Sequence, residues 1–251
     1  MDTKPQSDID PLALGRQIID ILVTGKKTST YKLATLYALI DCCIERVPDN
    51  PAASIDVPLD DLTARVIDLY WPQSRRLKWN ADRPLRQAAE GSEILDAVTD
   101  LRDTAHAGTN MPLADAISRA PDIYAQTFKK VKRTLVRYPL VLLQTLPGDT
   151  NAILYDDTWM KKKLSVATID LSDNMIQLRP GVAHAMAELS GLLKPALKWL
   201  WVDKVWKSNR HLFQGGLDVQ QYLFGGDRIP LSRIGPALIE KFGPGRVPRA
   251  V

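Results

Sequence analysis

KKTSTYKLATLYALIDCCI, residues 26–44, is the stretch from which the rest of the chain can be read. Leu33, Leu36, Tyr37, Ile40 and Ile44 recur at helical spacing and predict one buried face of an amphipathic helix. Thr28, Ser29 and Thr30 precede that run and offer hydroxyls to the unpaired N–H groups of a helix start. Lys26 and Lys27 stand before the helix and Lys32 in its first turn, where cations oppose the helix dipole. Lysines, hydroxyls and free N–H groups at one place suit a docked phosphate, with Thr28, Thr30 and Tyr31 adding hydrogen bonds. An ordinary cap with solvated lysines explains the same residues.

Further helices follow on either side. Asp10-Pro11 reads as a cap and first turn, opening a helix to about Thr24 that Gly25 ends. Ser54 to Val57 fits a short strand, and Pro58 to Tyr70 a helix with Leu59, Leu62, Val66 and Leu69 on one face. This order suits a winged-helix-like unit and a plain helical bundle equally. Trp71 to Arg86 is a basic connector, with Arg75, Arg76, Lys78, Arg83 and Arg86 against Asp82. Ser92 to His106, Pro112 to Arg119 and Pro121 to Arg137 read as helices. Beyond Pro147-Gly148, Ala152 to Tyr155, Leu164 to Leu171 and Met175 to Leu178 read as strands, with Ser172-Asp173-Asn174 as a hairpin turn. Helical pattern returns in Pro180 to Ser190, Leu192 to His211, Leu217 to Phe224 and Pro230 to Phe242. The expected fold is therefore α+β and mainly helical, with a small antiparallel hairpin or meander around 152–178. Residues 1–9 read as a tail, 10–110 as a helical N-terminal domain and 111–251 as a second part. The boundary is soft enough for one domain.

Composition sets wide bounds. The hydrophobic fraction is 45% and the charged fraction 25%, ordinary for a globular protein. A net charge of +4 permits a polyanionic partner without requiring one. Cys42 and Cys43 are adjacent on a helix, about 100° apart, which suits packed thiols better than a metal pair. No signal-peptide core or apolar run of membrane-spanning length is present, so the expected setting is the cytoplasm, away from membranes.

The clearest basic feature is the Pro121–Arg137 helix. Lys129, Lys130, Lys132, Arg133 and Arg137 share one broad face, with Tyr124, Phe128, Val131 and Leu135 opposite. Like charges on one stripe repel by a few tenths of a kcal/mol per neighbouring pair, which a polyanion would relieve. Acids from elsewhere in the fold would relieve it too. Lys161, Lys162 and Lys163 form a basic loop that can grip phosphate or simply solvate a turn. Trp199, Trp201 and Trp206 invite a base-stacking reading, but burial is the expected fate of these indoles. His106, His184 and His211 have no partner at metal-ligand spacing, and Asp156-Asp157 reads as turn and cap. No nucleophile elbow, Walker loop or dinucleotide fingerprint occurs. Catalytic, metal and cofactor sites are therefore not expected.

The run Thr30-Tyr31-Lys32-Leu33-Ala34-Thr35-Leu36-Tyr37-Ala38-Leu39-Ile40-Asp41 resembles a segment near the front of bacterial HNH endonuclease-like proteins. Val57 to Leu62 with Val66 to Trp71, Pro139-Leu140 through Leu146-Pro147-Gly148, Leu154 to Asp157, and Trp201-Val202 with Val205 and Asn209 extend the likeness in order. It covers the region ahead of the nuclease. The departure is at the end: after Ile229 to Gly243 the family continues into a Cys-x-x-Cys knuckle and the HNH motif, whereas this sequence reads Pro244 to Val251. The resemblance implies a DNA-recognition or positioning region, plausibly in restriction or defence, written here without its nuclease: a truncated gene, a fragment or a stand-alone form. Duplex DNA, a separate nuclease and a second copy of the chain are the partners to consider. A winged-helix transcription regulator, an interaction or remnant protein without a nucleic-acid role, and an enzyme with an unfamiliar site are the rivals.

Overall fold

The computed structural model describes residues 9–24, 30–87, 92–143, 152–160, 169, 173–212 and 219–224. Helix α1 (Pro11–Thr24) starts as its sequence requires: the Asp10 carboxylate accepts a hydrogen bond of 3.0 Å from the Leu12 N–H. Helix α2 (Thr30–Glu45) is the centre of the molecule. Its neighbours are α3 (Leu59–Tyr70), α7 (Pro139–Leu142), α8 (Val182–Glu188) and α9 (Ser190–Ser208). Every residue from Thr30 to Ile40 is buried, and so are Cys42 and Cys43. The expectation of a single buried face is corrected in two ways. The helix is enclosed nearly all round, as its low polarity permits, and Ile44, assigned to the interior, is 42% exposed.

Three hydroxyls that α2 carries inside, of Thr30, Tyr31 and Thr35, are paired there. Thr30 Oγ1 and the Tyr70 hydroxyl are 2.6 Å apart, Thr35 Oγ1 donates to Tyr31 O at 2.7 Å, and the Tyr31 hydroxyl accepts the Ile94 N–H at 2.9 Å. The Ile94 bond fixes the start of α4 (Glu93–Thr104) against α2.

The small sheet joins two predicted strands that the sequence pattern does not pair. Strand β1 (Ile55–Pro58) pairs antiparallel with β2 (Met175–Leu178), Ile55 facing Leu178 and Pro58 facing Met175. The two strands lie far apart in the sequence, at 55–58 and 175–178. Pro58, which has no N–H, sits at the strand end, and the Leu59 N–H closes that end on Asn174 O at 2.8 Å. Tyr155 adds a bridge to Leu178. The predicted strand 164–171 lies outside the described residues except for Ile169, which has helical backbone. The antiparallel sheet and mainly helical fold stand, and the strand expected to form a local hairpin with β2 falls almost wholly outside the described residues.

Helices α5 (Leu113–Arg119) and α6 (Pro121–Arg137) follow α4, and α6 packs along α4 and against α3. Helix α10 (Val219–Phe224) closes the other side: the Tyr222 hydroxyl donates toward the Gln73 and Arg75 carbonyls, at 2.9 and 2.8 Å, and accepts from the Leu85 N–H at 3.3 Å. One buried cluster runs from Leu14 to Leu223 and takes side chains from both sides of the soft boundary near Gly108–Pro121. Among the described residues no helix is long and apolar enough to cross a membrane.

Cys42 and Cys43 are both fully buried. Burial raises both thiols, Cys43 from 9.0 to about 12. An acid raised in the folded state stabilises the fold below its unfolded value. For Cys43 that contribution is lost as pH rises from 9.0 to about 12. Iodoacetamide at pH 8 is expected to leave the native protein unlabelled and to label both thiols in denaturant. Intact-mass measurement would contradict this burial if native protein gained an adduct within minutes.

Candidate nucleic-acid interface

Helix α6 is held by one side only. Thr127, Val131, Thr134, Leu135 and Val136 are buried, and Thr127 Oγ1 ties the helix to Ala97 O of α4 at 3.1 Å. Pro121 at the start, Asp122 in the first turn and Arg137 in the last suit the helix direction and its dipole. The opposite side carries Lys129, Lys130, Arg133 and Arg137, all exposed. These four span nine residues, eight steps or about 12 Å along the axis. Among the described residues none of them forms an ion pair. The Arg137 guanidinium lies 5.0 Å from the ring centroid of Tyr138, itself 39% exposed, so the stripe ends on an arginine–aromatic pair.

Lys132 does not belong to this stripe. Its Nζ reaches Asp60 at 2.6 Å and Asn174 at 3.0 Å, tying α6 to the start of α3 and to the turn before β2. The five-residue face is thus corrected to four. Lys130 acts on an acid at a distance: burial raises the Asp96 carboxyl, and the Lys130 charge is the first influence opposing that rise.

The phosphate site read at the front of α2 is also corrected. Thr30 and Tyr31 are buried, and their hydroxyls are engaged with Tyr70 and Ile94. Their place in the packed centre follows from α2 being surrounded. Lys32 is 5% exposed; burial pushes its ammonium down, and it lies near enough to Lys204 to lower that ammonium as well. Lys26, Lys27 and Thr28 lie outside the described residues, as do Lys161, Lys162 and Lys163. The structure therefore brings together Lys129, Lys130, Arg133 and Arg137, and separates them from Thr30, Tyr31 and Lys32.

The indoles divide. Trp201 is fully buried and donates to Gln87 Oε1 at 2.8 Å. Trp199 and Trp206 are 66% and 40% exposed, against the expectation of burial. With Leu192, 71% exposed, they stand seven residues apart in succession, two turns each, on one outer face of α9. That spacing was legible beforehand; what it could not tell is which face of α9 meets α2.

Comparison with known families gives one match. A family model described as "Domain of unknown function (DUF8808)" matches residues 11–222. The chain belongs to the DUF8808 family. The matched segment begins with the first residue of α1 and ends at Tyr222, whose hydroxyl joins α10 to the Gln73–Leu85 region. The DUF8808 segment is thus nearly coextensive with the buried cluster from Leu14 to Leu223. No curated protein and no solved structure matches the chain.

Proposed function

We propose that this DUF8808 protein binds nucleic acid, duplex DNA first, through the outer face of α6. One observation supports the reading above others: four aligned cations, Lys129, Lys130, Arg133 and Arg137, stay exposed without an ion-pair partner among the described residues. A duplex carries one charge per about 1.7 Å of axis, so a rod of cations about 12 Å long meets several phosphates. Lysine and arginine on an outward helix face position a backbone and carry no base code. The resemblance to the region ahead of an HNH nuclease supplies the role: holding DNA in register for cleavage by a nuclease module or a separate nuclease.

The test is the salt dependence of binding to a labelled random duplex. Four phosphate contacts give a log–log slope of about −3.6, or about 150-fold weaker binding between about 50 and 200 mM salt. Non-specific affinity is expected near the micromolar range at the lower salt. A folded protein that fails to bind at 50 mM, or binds with a slope near zero, would remove this reading and favour a protein partner for the same face.

A further inference from the structure

A second cationic site lies on the other end of α4, and it does not depend on the nucleic-acid reading. The basic connector after α3 runs back over the C-terminal end of α4 and leaves a cleft of about 170 Å³. Arg75, Arg76, Arg102, Asp103, Gly108 and Thr109 line it. The space is large enough for one phosphate group.

Arg102 is 4% exposed, an unusual burial for an arginine. Its Nε donates to Ser74 Oγ at 2.7 Å, Nη1 to Gly108 O at 3.0 Å and Nη2 to Trp71 O at 2.7 Å. The guanidinium also stacks 4.0 Å from the Trp71 ring centroid. All of these partners are neutral. The one carboxylate at the cleft, Asp103, is held by Arg76, whose Nε donates to Oδ1 at 2.9 Å and whose Nη2 binds Oδ2. Arg75 donates to the carbonyls of Pro72 and Tyr222 and lies 5.2 Å from the Tyr222 ring centroid. Among the described residues neither Arg75 nor Arg102 has an ion-pair partner.

The C-terminal ends of α3 and α4 meet Arg102, and about half a charge from each helix end offsets that one cation. Arg75 remains over. Burial first, and the charge of Arg75 next, lower the Arg102 guanidinium to about 10. The rim is open for an incoming group: a Cβ built on Gly108 meets nothing within 4 Å. Thr109 adds a hydroxyl at the rim. Planar guanidinium forks at a small cleft match the oxygens of a phosphate.

From this we infer that the cleft between the basic connector and the end of α4 is a phosphate-binding site, in which Arg75 contacts a phosphate group and the buried charge of Arg102 faces it from behind. The chemistry is that of a phosphate monoester or free phosphate. Binding also pins the connector to α4.

The experiment uses the full chain and inorganic phosphate, with sodium chloride at matched ionic strength as reference. Thermal melting and the ¹⁵N-resolved arginine Nε–H signals are followed together. Phosphate is expected to raise the melting temperature saturably and to shift the Arg75 and Arg102 signals. Arg75→Gln, checked for folding by circular dichroism, is expected to bind at least tenfold more weakly. The Lys129→Glu/Arg133→Glu variant should bind phosphate normally, which separates this site from α6. A 5′-phosphorylated oligonucleotide that displaces phosphate, where its 5′-hydroxyl twin does not, would identify a strand end as the source. Phosphate binding without that displacement would identify the free anion. The site is overturned if phosphate acts no differently from chloride, if neither arginine signal moves, or if Arg75→Gln binds as tightly as the unmodified chain.

Discussion

Changing Lys129, Lys130, Arg133 and Arg137 together to Glu is expected to abolish DNA binding, with at least a hundredfold loss at about 50 mM salt. The stripe contributes through phosphate neutralisation, so reversal replaces four attractions by four repulsions. The fold should tolerate the change, because all four side chains are exposed and form no ion pair among the described residues. Exposed substitutions away from special features usually fall within about 0.5 kcal/mol each. Changing Lys132 instead would confuse the result, since its ammonium joins α6 to Asp60 and Asn174. A control variant, Arg16→Glu with Lys207→Glu, lowers net charge on α1 and α9 and should weaken binding only a few fold. A control loss of about half the fourfold variant's on a logarithmic scale, in proportion to its two reversals, would mean that overall charge, not the α6 face, governs binding. Unchanged binding in the fourfold variant would remove α6 from the interface.

The largest stability effect is expected at Trp201. Its indole is fully buried, with ring centroids 5.4 Å from Tyr70 and 5.5 Å from Phe224, and its N–H donates to Gln87 Oε1 at 2.8 Å. Trp201→Ala removes that volume and is expected to cost about 3–5 kcal/mol, roughly 6–20 °C in melting temperature for a domain of this size. It also strands Gln87, which is fully buried and whose Nε2 has no partner among the described residues. Trp201→Phe keeps much of the packing and isolates the cost of that orphaned amide, about 1–3 kcal/mol. Trp199→Ala, two residues away and 66% exposed, should change stability by less than about 0.5 kcal/mol. Urea unfolding of the three variants decides the matter. A Trp201→Ala cost below about 1 kcal/mol, or a similar cost at Trp199, would contradict the packing around α9.

What the residues determined by themselves was local. Apolar period and Asp10-Pro11 placed α1, and the Lys129–Arg137 pattern marked α6 as a docked helix with a basic outer side. Such features depend on neighbours three and four residues away, which any helix brings together. The tertiary structure alone decided which helix is enclosed. Thr30, Tyr31 and Lys32 read as an open phosphate site because capping chemistry is visible in sequence, whereas the Tyr70 and Ile94 partners that take up the Thr30 and Tyr31 hydroxyls come from α3 and α4. The pairing of β1 with β2 was hidden for the same reason: strand patterns state a period but no partner, and Ser172-Asp173-Asn174 suggested the nearer one. Lys132 left the stripe, and Arg75 met Arg102, through contacts between elements far apart in the chain. Charge and period are properties of a segment; burial and ion pairing belong to the surfaces that segments present to one another.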